Sequence, residues 1–199
     1  MEIKNINLKA IERFLDELSE PWSDCENFHF RFIRDGYTPA TCNFSPDNKA
    51  EMLKHICVMN ETHNVYSVVN PVPKGSPRVP SDEHIQRAYF AFIDADDGEQ
   101  TQRARGFKAF APHMEVITGE TPSLRIHRYY KFNEPMTDMA EWTKLQKMLS
   151  SAMQTDPIIH NPSRIMRVAG TINYPSKRKL KNGYVAEVSH LNIGGCYVD

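Results

Sequence analysis

A short apolar segment that runs directly into acidic residues is the strongest constraint on the fold of this chain. The segment is Tyr89 to Ile93 (YFAFI), and Asp94-Ala95-Asp96-Asp97 follows it at once. An unbroken apolar run with this aromatic content predicts a strand that is buried in a sheet. Because residues i and i+2 of a strand point the same way, Asp94 and Asp96 are expected on one face.

Two neighbouring carboxylates of this kind are typical of a site for divalent cations. Like charges this close repel each other unless a cation lies between them. Carboxylate oxygens suit Mg²⁺ or Mn²⁺, and enzymes that displace pyrophosphate use two such ions. The same pattern is also typical of a solvated polar turn, and a D-x-D motif alone does not decide between the two. The spacing of the later glycine and glutamate does not fit an EF-hand loop.

Helices and strands are expected to alternate along the chain. Apolar periodicity and capping residues predict helices over residues 7–19, 45–60, 99–110 and 138–153. Alternation and short apolar runs predict strands over residues 28–33, 65–69, 89–93, 114–118 and 124–132, with further short strands after residue 156. This order predicts the α/β or α+β class. We expect a single domain over residues 1–199, with a proline-rich loop near residue 80 dividing two lobes, 1–80 and 81–199.

Composition excludes several classes of protein. The 199 residues carry 40% hydrophobic and 25% charged side chains, which predicts a folded domain and argues against disorder. No C-x-x-C pair is present among the four cysteines, so a zinc module is not expected. No signal peptide and no apolar run of about 18 residues is visible, so we expect a cytoplasmic protein without a membrane partner. With a net charge of -1, any contact with nucleic acid must come from a local basic patch.

A second feature is a strand with an unusual polar face. Within residues 123–129, the side chains of Ser123, Arg125 and His127 are expected on one face of the strand. Arginine and histidine can bind phosphate oxygens, so this face is a candidate phosphate site. A solvated polar face is the alternative interpretation.

The third feature combines an acid with a basic segment. Asp156 follows the last long helix and is a candidate third carboxylate. Residues 160–182 contain several basic residues and no acid, namely Arg164, Arg167, Lys177, Arg178, Lys179 and Lys181. Such a segment attracts a triphosphate or a nucleic-acid backbone. It is also compatible with a solvated basic loop.

Taken in order, these features resemble the prim-pol branch of the archaeo-eukaryotic primase superfamily, found in plasmid and phage replication proteins. The family's D-x-D strand is matched by Ile93 to Asp96, and its S-x-H strand by Arg125-Ile126-His127. Its third aspartate is matched by Asp156, and the segment that follows it by residues 162–173 (PSRIMRVAGTIN). Arg125 departs from the family's serine. The resemblance covers about residues 28–190.

The resemblance implies a fold and a set of site residues. The prim-pol fold packs a small N-terminal α/β unit on an RRM-like unit, with the active site between them. Two divalent ions, Mg²⁺ or Mn²⁺, are expected on the catalytic residues Asp94, Asp96 and Asp156. The residues expected to bind the nucleotide are Ser123, Arg125, His127, Arg164, Arg167 and Lys177.

The resemblance also implies an activity. It is template-directed nucleotidyl transfer on single-stranded DNA, from dNTP or NTP substrates with release of pyrophosphate, as in a DNA primase or polymerase. A helicase or primer-initiation domain is an expected partner, and the chain is expected to be one domain of a longer replication protein. Two alternatives stay open: a metal-dependent nuclease or replication-initiation nickase, and a non-catalytic module that binds nucleotide or nucleic acid.

Overall fold

The fold was analysed in a computed structural model that describes residues 6–198. The helices are α1 Leu8–Ser19, α2 Lys49–Asn60, α3 Gly98–Gly106, α4 Met139–Met153 and α5 Lys177–Lys181. The first strands are β1 Glu26–Ile33, β2 Ala40–Phe44, β3 Asn64–Val68, β4 Val72–Pro73, β5 Ala88–Ala95 and β6 Met114–Gly119. The others are β7 Arg125–Met136, β8 Ile165–Arg167, β9 Ile172–Asn173, β10 Glu187–Val188, β11 His190–Ile193 and β12 Cys196–Tyr197.

Two antiparallel sheets form the molecule, so the class is α+β. The first sheet has the order β2-β1-β3-β8, with β4 pairing with the start of β1. The second has the order β12-β11-β6-β7-β5, and β9 and β10 form a small ribbon of their own. All described strand pairs are antiparallel.

The largest core lies between the two sheets and helix α1. The phenylalanines of β1 enter it from the first sheet, and Phe90, Phe92 and Tyr129 enter it from the second. The other face of the second sheet carries a separate core, in which Ile93 and neighbouring residues pack on α3 and α4. Asp94 follows Phe92 on the face that looks toward the first sheet, because side chains alternate along a strand. The acidic motif at the end of β5 therefore begins on the face of the second sheet that looks toward the first sheet.

Several predicted elements are confirmed with small changes of boundary. The predicted helices over 7–19, 45–60 and 138–153 correspond to α1, a short 3-10 turn followed by α2, and α4. Helix α3 ends at Gly106, four residues short of the predicted end, because Phe107 already has an extended backbone. Strand β2 was not predicted. It has no fully buried residue and gains its structure from pairing with β1.

The chain crosses between the two sheets late in the sequence. Strand β8 (165–167) returns to the first sheet and pairs with β3, so residues beyond 81 contribute to both sheets. The division into lobes at residue 80 stays a prediction. Within residues 6–198, no helix combines the length and the apolar character needed to span a membrane.

Candidate metal and nucleotide site

Helix α4 covers the free edge of strand β5 and thereby places the third carboxylate. The outward-facing carbonyl of Phe90 accepts a hydrogen bond from Trp142 Nε1 at 3.0 Å. Two residues on, the amide of Phe92 donates to Gln146 Oε1 at 2.9 Å, and its carbonyl accepts from Gln146 Nε2 at 2.6 Å. Gln146 Nε2 also donates to the carbonyl of Ile159 at 3.0 Å, which ties the segment after α4 to the same strand.

The next outward-facing carbonyl on this edge belongs to Asp94. It accepts a hydrogen bond from the backbone amide of Asp156 at 3.1 Å. The side chains of Asp94, Asp96 and Asp156 each offer a carboxylate oxygen, and these three oxygens lie within 4.8 Å of one another. The structure thus brings together all three acids that the sequence predicted as metal ligands. We call these three residues the carboxylate cluster.

The electrostatics of the carboxylate cluster fit a cation. Burial, followed by the charges of Asp96 and Asp156, raises the pKa of Asp94 from 3.8 to about 8. Asp94 Oδ1 is buried and has no hydrogen-bond partner in the described part of the chain. An unsatisfied buried oxygen beside two further carboxylates is destabilising by itself and becomes favourable when a divalent cation binds. The donor set consists of oxygens only, which suits Mg²⁺ or Mn²⁺.

His127 lies directly opposite Asp94 in the pairing of β5 with β7. Its Nε2 is 3.6 Å from Asp94 Oδ1, which is longer than a hydrogen bond. Burial, and then the nearby charge of Arg167, lowers the pKa of His127 to about 3, so the ring is neutral at physiological pH. A neutral imidazole retains one N–H donor for an anionic ligand.

Arg167 is a buried cation held by polar groups without charge. Its guanidinium donates to Asn64 Oδ1 at 2.9 Å and to Tyr66 Oη at 2.8 Å, and it lies over the Tyr66 ring at 4.8 Å from the centroid. Burial lowers the pKa of Arg167, while the charge of Asp94 raises it, so the two residues lie close enough to interact. Arg167 therefore provides a positive charge next to the carboxylate cluster.

Arg125 has a partner that the sequence did not reveal. Its Nη2 lies 3.2 Å from Glu187 Oε2, and its Nη1 donates to the carbonyls of Thr121 and Ser123, each at 2.8 Å. The guanidinium packs so closely on Gly119 that a Cβ added there would collide with Nη2. These contacts give Arg125 a structural role in joining β7 to β10. Nucleotide binding by Arg125 and Ser123 stays a prediction.

The remaining predicted phosphate ligands, Arg164 and Lys177, have other partners in the structure. The guanidinium of Arg164 donates to the carbonyl of Ile158, and its neighbour Ser163 is bound by Asp82. Lys177 is exposed at the start of α5, where its backbone amide donates to Asp35 Oδ2 at 3.0 Å. Neither residue has a described contact with the carboxylate cluster, and their roles stay predictions.

Lys179 is a site residue that sequence reasoning did not single out. Its positive charge opposes the rise in the pKa of Asp94, which places it near the carboxylate cluster. The ammonium group lies 5.2 Å from the centroid of the Tyr184 ring. The only signal in the sequence was its membership of the basic run at residues 177–181, which did not distinguish it from its neighbours.

Solved structures with a similar fold are named as a primase-polymerase and as a primase. The chain aligns over 94% of its length with 92% of the AEP domain of the cyanophage S-2L primase-polymerase, at 26% identity and a TM-score of 0.65. It aligns over 91% of its length with 84% of the catalytic domain of primase RepB′ in complex with initiator DNA, at 20% identity and a TM-score of 0.53. A larger RepB′ structure matches over 83% of this chain but only 50% of its own length, at 19% identity and a TM-score of 0.57.

No family model and no curated protein matches the sequence significantly. The two antiparallel sheets, with the carboxylate cluster at the end of β5, define the fold class. This chain has the prim-pol fold of the archaeo-eukaryotic primases, as its resemblance to the phage and plasmid branch predicted.

Proposed function

We propose that this chain catalyses template-directed nucleotidyl transfer on single-stranded DNA, as a primase or as the polymerase that extends a primer. The observation that carries the proposal is the carboxylate cluster, in which Asp94 and Asp96 at the end of β5 meet Asp156, a residue distant in sequence, in a prim-pol fold. The similar solved structures are named as a primase-polymerase and as a primase bound to initiator DNA, which favours DNA as the template.

Asp94, Asp96 and Asp156 are the residues that would hold divalent ions. Two such ions would supply Lewis-acid stabilisation of the attacking and leaving oxygens. The carboxylates would hold the ions at the end of β5, because the hydrogen bond between the backbones of Asp156 and Asp94 fixes the segments that carry them. The identity of the ions, Mg²⁺ or Mn²⁺, belongs to the proposal.

His127, Arg167 and Lys179 would hold the triphosphate of the incoming dNTP or NTP. The neutral His127 ring donates a directed N–H, while Arg167 and Lys179 contribute positive charge that acts on Asp94. A triphosphate with its ions is strongly anionic, so these donors orient it toward the attacking 3′-hydroxyl. Arg164 and Lys177 would contribute further positive charge. A cytoplasmic location and a helicase or primer-initiation partner complete the proposal.

The nickase alternative requires an accessible tyrosine nucleophile beside paired histidines. Tyr129 lies on the same face as His127, but its side chain is fully buried, at 0% exposure. A buried hydroxyl cannot reach a DNA phosphate. The structure therefore offers no support for a nickase that uses Tyr129, and nucleotidyl transfer remains our proposal.

The test is incorporation of nucleotides on single-stranded DNA, with and without an annealed primer, in Mg²⁺ or Mn²⁺. Asp94→Asn, Asp96→Asn and Asp156→Asn each remove one ligand charge while keeping the shape of the side chain. We expect each of them to lower incorporation by about 100-fold or more, as loss of a key electrostatic group does. Asp97→Asn is the matched control. Asp97 belongs to the same acidic run but caps helix α3 through Gln100, a role that asparagine also fills.

The pattern of products decides between the alternatives. Products without primer identify a primase, and products only with primer identify a polymerase domain that needs a partner to start. Cleaved template that depends on the same aspartates indicates a nuclease. Absence of any product while nucleotide still binds would overturn the proposal and favour the non-catalytic binding module.

A further inference from the structure

One face of the first sheet is polar, and one end of this face lies beside the carboxylate cluster. The phenylalanines of β1 point into the central core, so Arg31, which alternates with them, points to the opposite face. The strand register places Thr41, Arg31, Tyr66 and Arg167 side by side on β2, β1, β3 and β8. We call these four residues the polar row.

The polar row extends from the carboxylate cluster toward the outer edge of the sheet. Neighbouring strands lie about 4.8 Å apart, so the row spans about 14 Å from Arg167 to Thr41. At the far end, Arg78 of the proline-rich loop donates a hydrogen bond from Nε to Thr41 Oγ1 at 3.3 Å. Arg31 and Arg78 thus add two cations at a distance from the cluster.

The cations of this surface form no ion pair with an acid among the described residues. Within residues 6–198, no ion pair joins Arg31, Arg78 or Arg167 to a carboxylate. By contrast, Arg125 and Arg128 on β7 of the second sheet and Arg105 on α3 pair with glutamates. Arg31 is half-buried, its Nε has no hydrogen-bond partner there, and its Nη2 reaches only the carbonyl of Pro80 at 3.5 Å. A partly desolvated guanidinium without an anion is a ready site for phosphate.

We propose that the polar row, together with Arg78, binds the sugar-phosphate backbone of the single-stranded DNA template. The identity of this strand rests on the proposed function. A triphosphate at the carboxylate cluster reaches Arg167, whereas Arg31 lies two strands further along, about 10 Å away. Arg31 and Arg78 are therefore available to bind the phosphates of another molecule. Tyr66, half-exposed between Arg31 and Arg167, offers an aromatic surface for a base or sugar of the same strand.

The experiment measures the binding of a fluorescein-labelled single-stranded oligodeoxynucleotide of mixed sequence, without nucleotide or divalent ion, as a function of salt. Each phosphate contact on a single strand contributes about 0.7 to the slope of log K against log salt. We expect Arg31→Gln and Arg78→Gln each to reduce the slope by about 0.7 and the affinity by about five- to tenfold at low salt. The double variant should reduce the slope by about 1.4.

Two further variants distinguish the loss of a phosphate contact from a general loss of positive charge and from loss of folding. Arg13→Gln on α1 removes the same charge from an exposed arginine beyond the aromatic face of the sheet, and it should leave the slope unchanged. Arg31→Lys keeps the charge and should keep most of the slope. Arg78 is exposed, so Arg78→Gln tests the surface even where substitution of the half-buried Arg31 lowers the melting temperature.

The inference is overturned by wild-type slopes and affinities in both glutamine variants, or by a wild-type protein that does not bind the oligonucleotide. Weaker nucleotide binding with unchanged strand binding would also overturn it, because the row would then belong to the triphosphate. Strand binding is measured without chemistry. A protein that binds DNA through the row but incorporates no nucleotide would therefore refute the proposed function and leave this inference standing.

Discussion

The backbone amide of Asp156 donates a hydrogen bond to the backbone carbonyl of Asp94, at 3.1 Å. This bond joins two segments that lie far apart in sequence and brings their carboxylates onto one site. It is the last of a series along the free edge of β5, where Trp142, Gln146 and Asp156 bind every second residue in turn. An uncovered edge strand would expose these backbone N–H and C=O groups. Helix α4 and the segment after it therefore protect the edge of β5 and position Asp156 at the same time.

Gln146→Met should therefore affect both stability and activity. Methionine matches the size of glutamine but leaves the buried amide and carbonyl of Phe92 without partners, which costs about 2 kcal/mol or more. We expect a lower free energy of unfolding in urea, and a fall in nucleotide incorporation at temperatures where the variant is still folded. The second effect follows because the segment carrying Asp156 loses its bond through Ile159.

Gln102→Met is the control for this substitution, since Gln102 is exposed on α3. It should leave both the free energy of unfolding and the incorporation rate unchanged. A folded, fully active Gln146→Met variant would show that the carboxylate cluster is positioned by other contacts.

The buried pair of Arg125 and Glu187 predicts a large effect on stability. Removing one partner of a buried ion pair leaves an uncompensated charge, which costs about 3–5 kcal/mol. Arg125→Ala and Glu187→Ala should each lower the free energy of unfolding by this amount in chemical denaturation. The double variant Arg125→Met with Glu187→Leu removes both charges and should be destabilised much less.

The same variants decide whether Arg125 has a role beyond structure. If Arg125 only joins β7 to β10, the folded double variant binds nucleotide with wild-type affinity. A folded double variant that has lost nucleotide affinity would establish the phosphate role that the sequence resemblance implied for this residue.

The sequence predicted those parts of the fold and site that depend on local patterns. Strand β5 and its acids were identified because an apolar run next to acids is a local signal, and α4 was identified because its periodicity is strong. The three acids meet as expected, although their spacing in sequence gave no distance. Local sequence patterns predict a helix or strand correctly when the residues of that element alone determine which of its side chains are buried.

The parts that were not predicted depend on pairing between distant segments. Strand β2 is too weakly apolar to be recognised without β1 beside it. Glu187 lies 62 residues from Arg125, so its role as the partner of that arginine had no local signal. Lys179 differs from the neighbouring basic residues only in its position in the folded structure, where its charge acts on Asp94. Such features become visible only when the register of the sheets is known.

The raised pKa of Asp94 predicts how pH and metal ions change stability. The pKa is 3.8 in an ordinary aspartate and about 8 in the metal-free fold, so the folded state binds the proton more tightly than the unfolded state. The resulting stabilisation is fully present below a pH of 3.8 and is lost progressively as the pH rises from there to about 8. The melting temperature of the metal-free protein should therefore fall as the pH rises from about 4 to about 8 and level off above that, and the melting temperature of Asp94→Asn should change less over this range.

Divalent ions should reverse this trend, because a bound cation favours the ionised carboxylate. Thermal unfolding in EDTA and in Mn²⁺ measures the effect. The increase in melting temperature on adding Mn²⁺ should be larger at pH 9 than at pH 7, and it should disappear in Asp94→Asn. An equal increase in the wild type and in Asp94→Asn would mean that the ion binds elsewhere on the protein.

Arg167→Lys should weaken nucleotide binding without unfolding the domain. The planar guanidinium donates to Asn64 and Tyr66 at the same time while it keeps its charge beside Asp94, and lysine cannot reproduce this fork. We expect the KM for the nucleotide to rise by about tenfold or more, with a smaller change in kcat, since the loss is mainly one of binding. Arg103→Lys on α3 is the control, because this arginine pairs with the exposed Glu99. An Arg167→Lys variant with unchanged KM and a lower melting temperature would assign Arg167 to the packing of β8 on β3 and leave the triphosphate to His127 and Lys179.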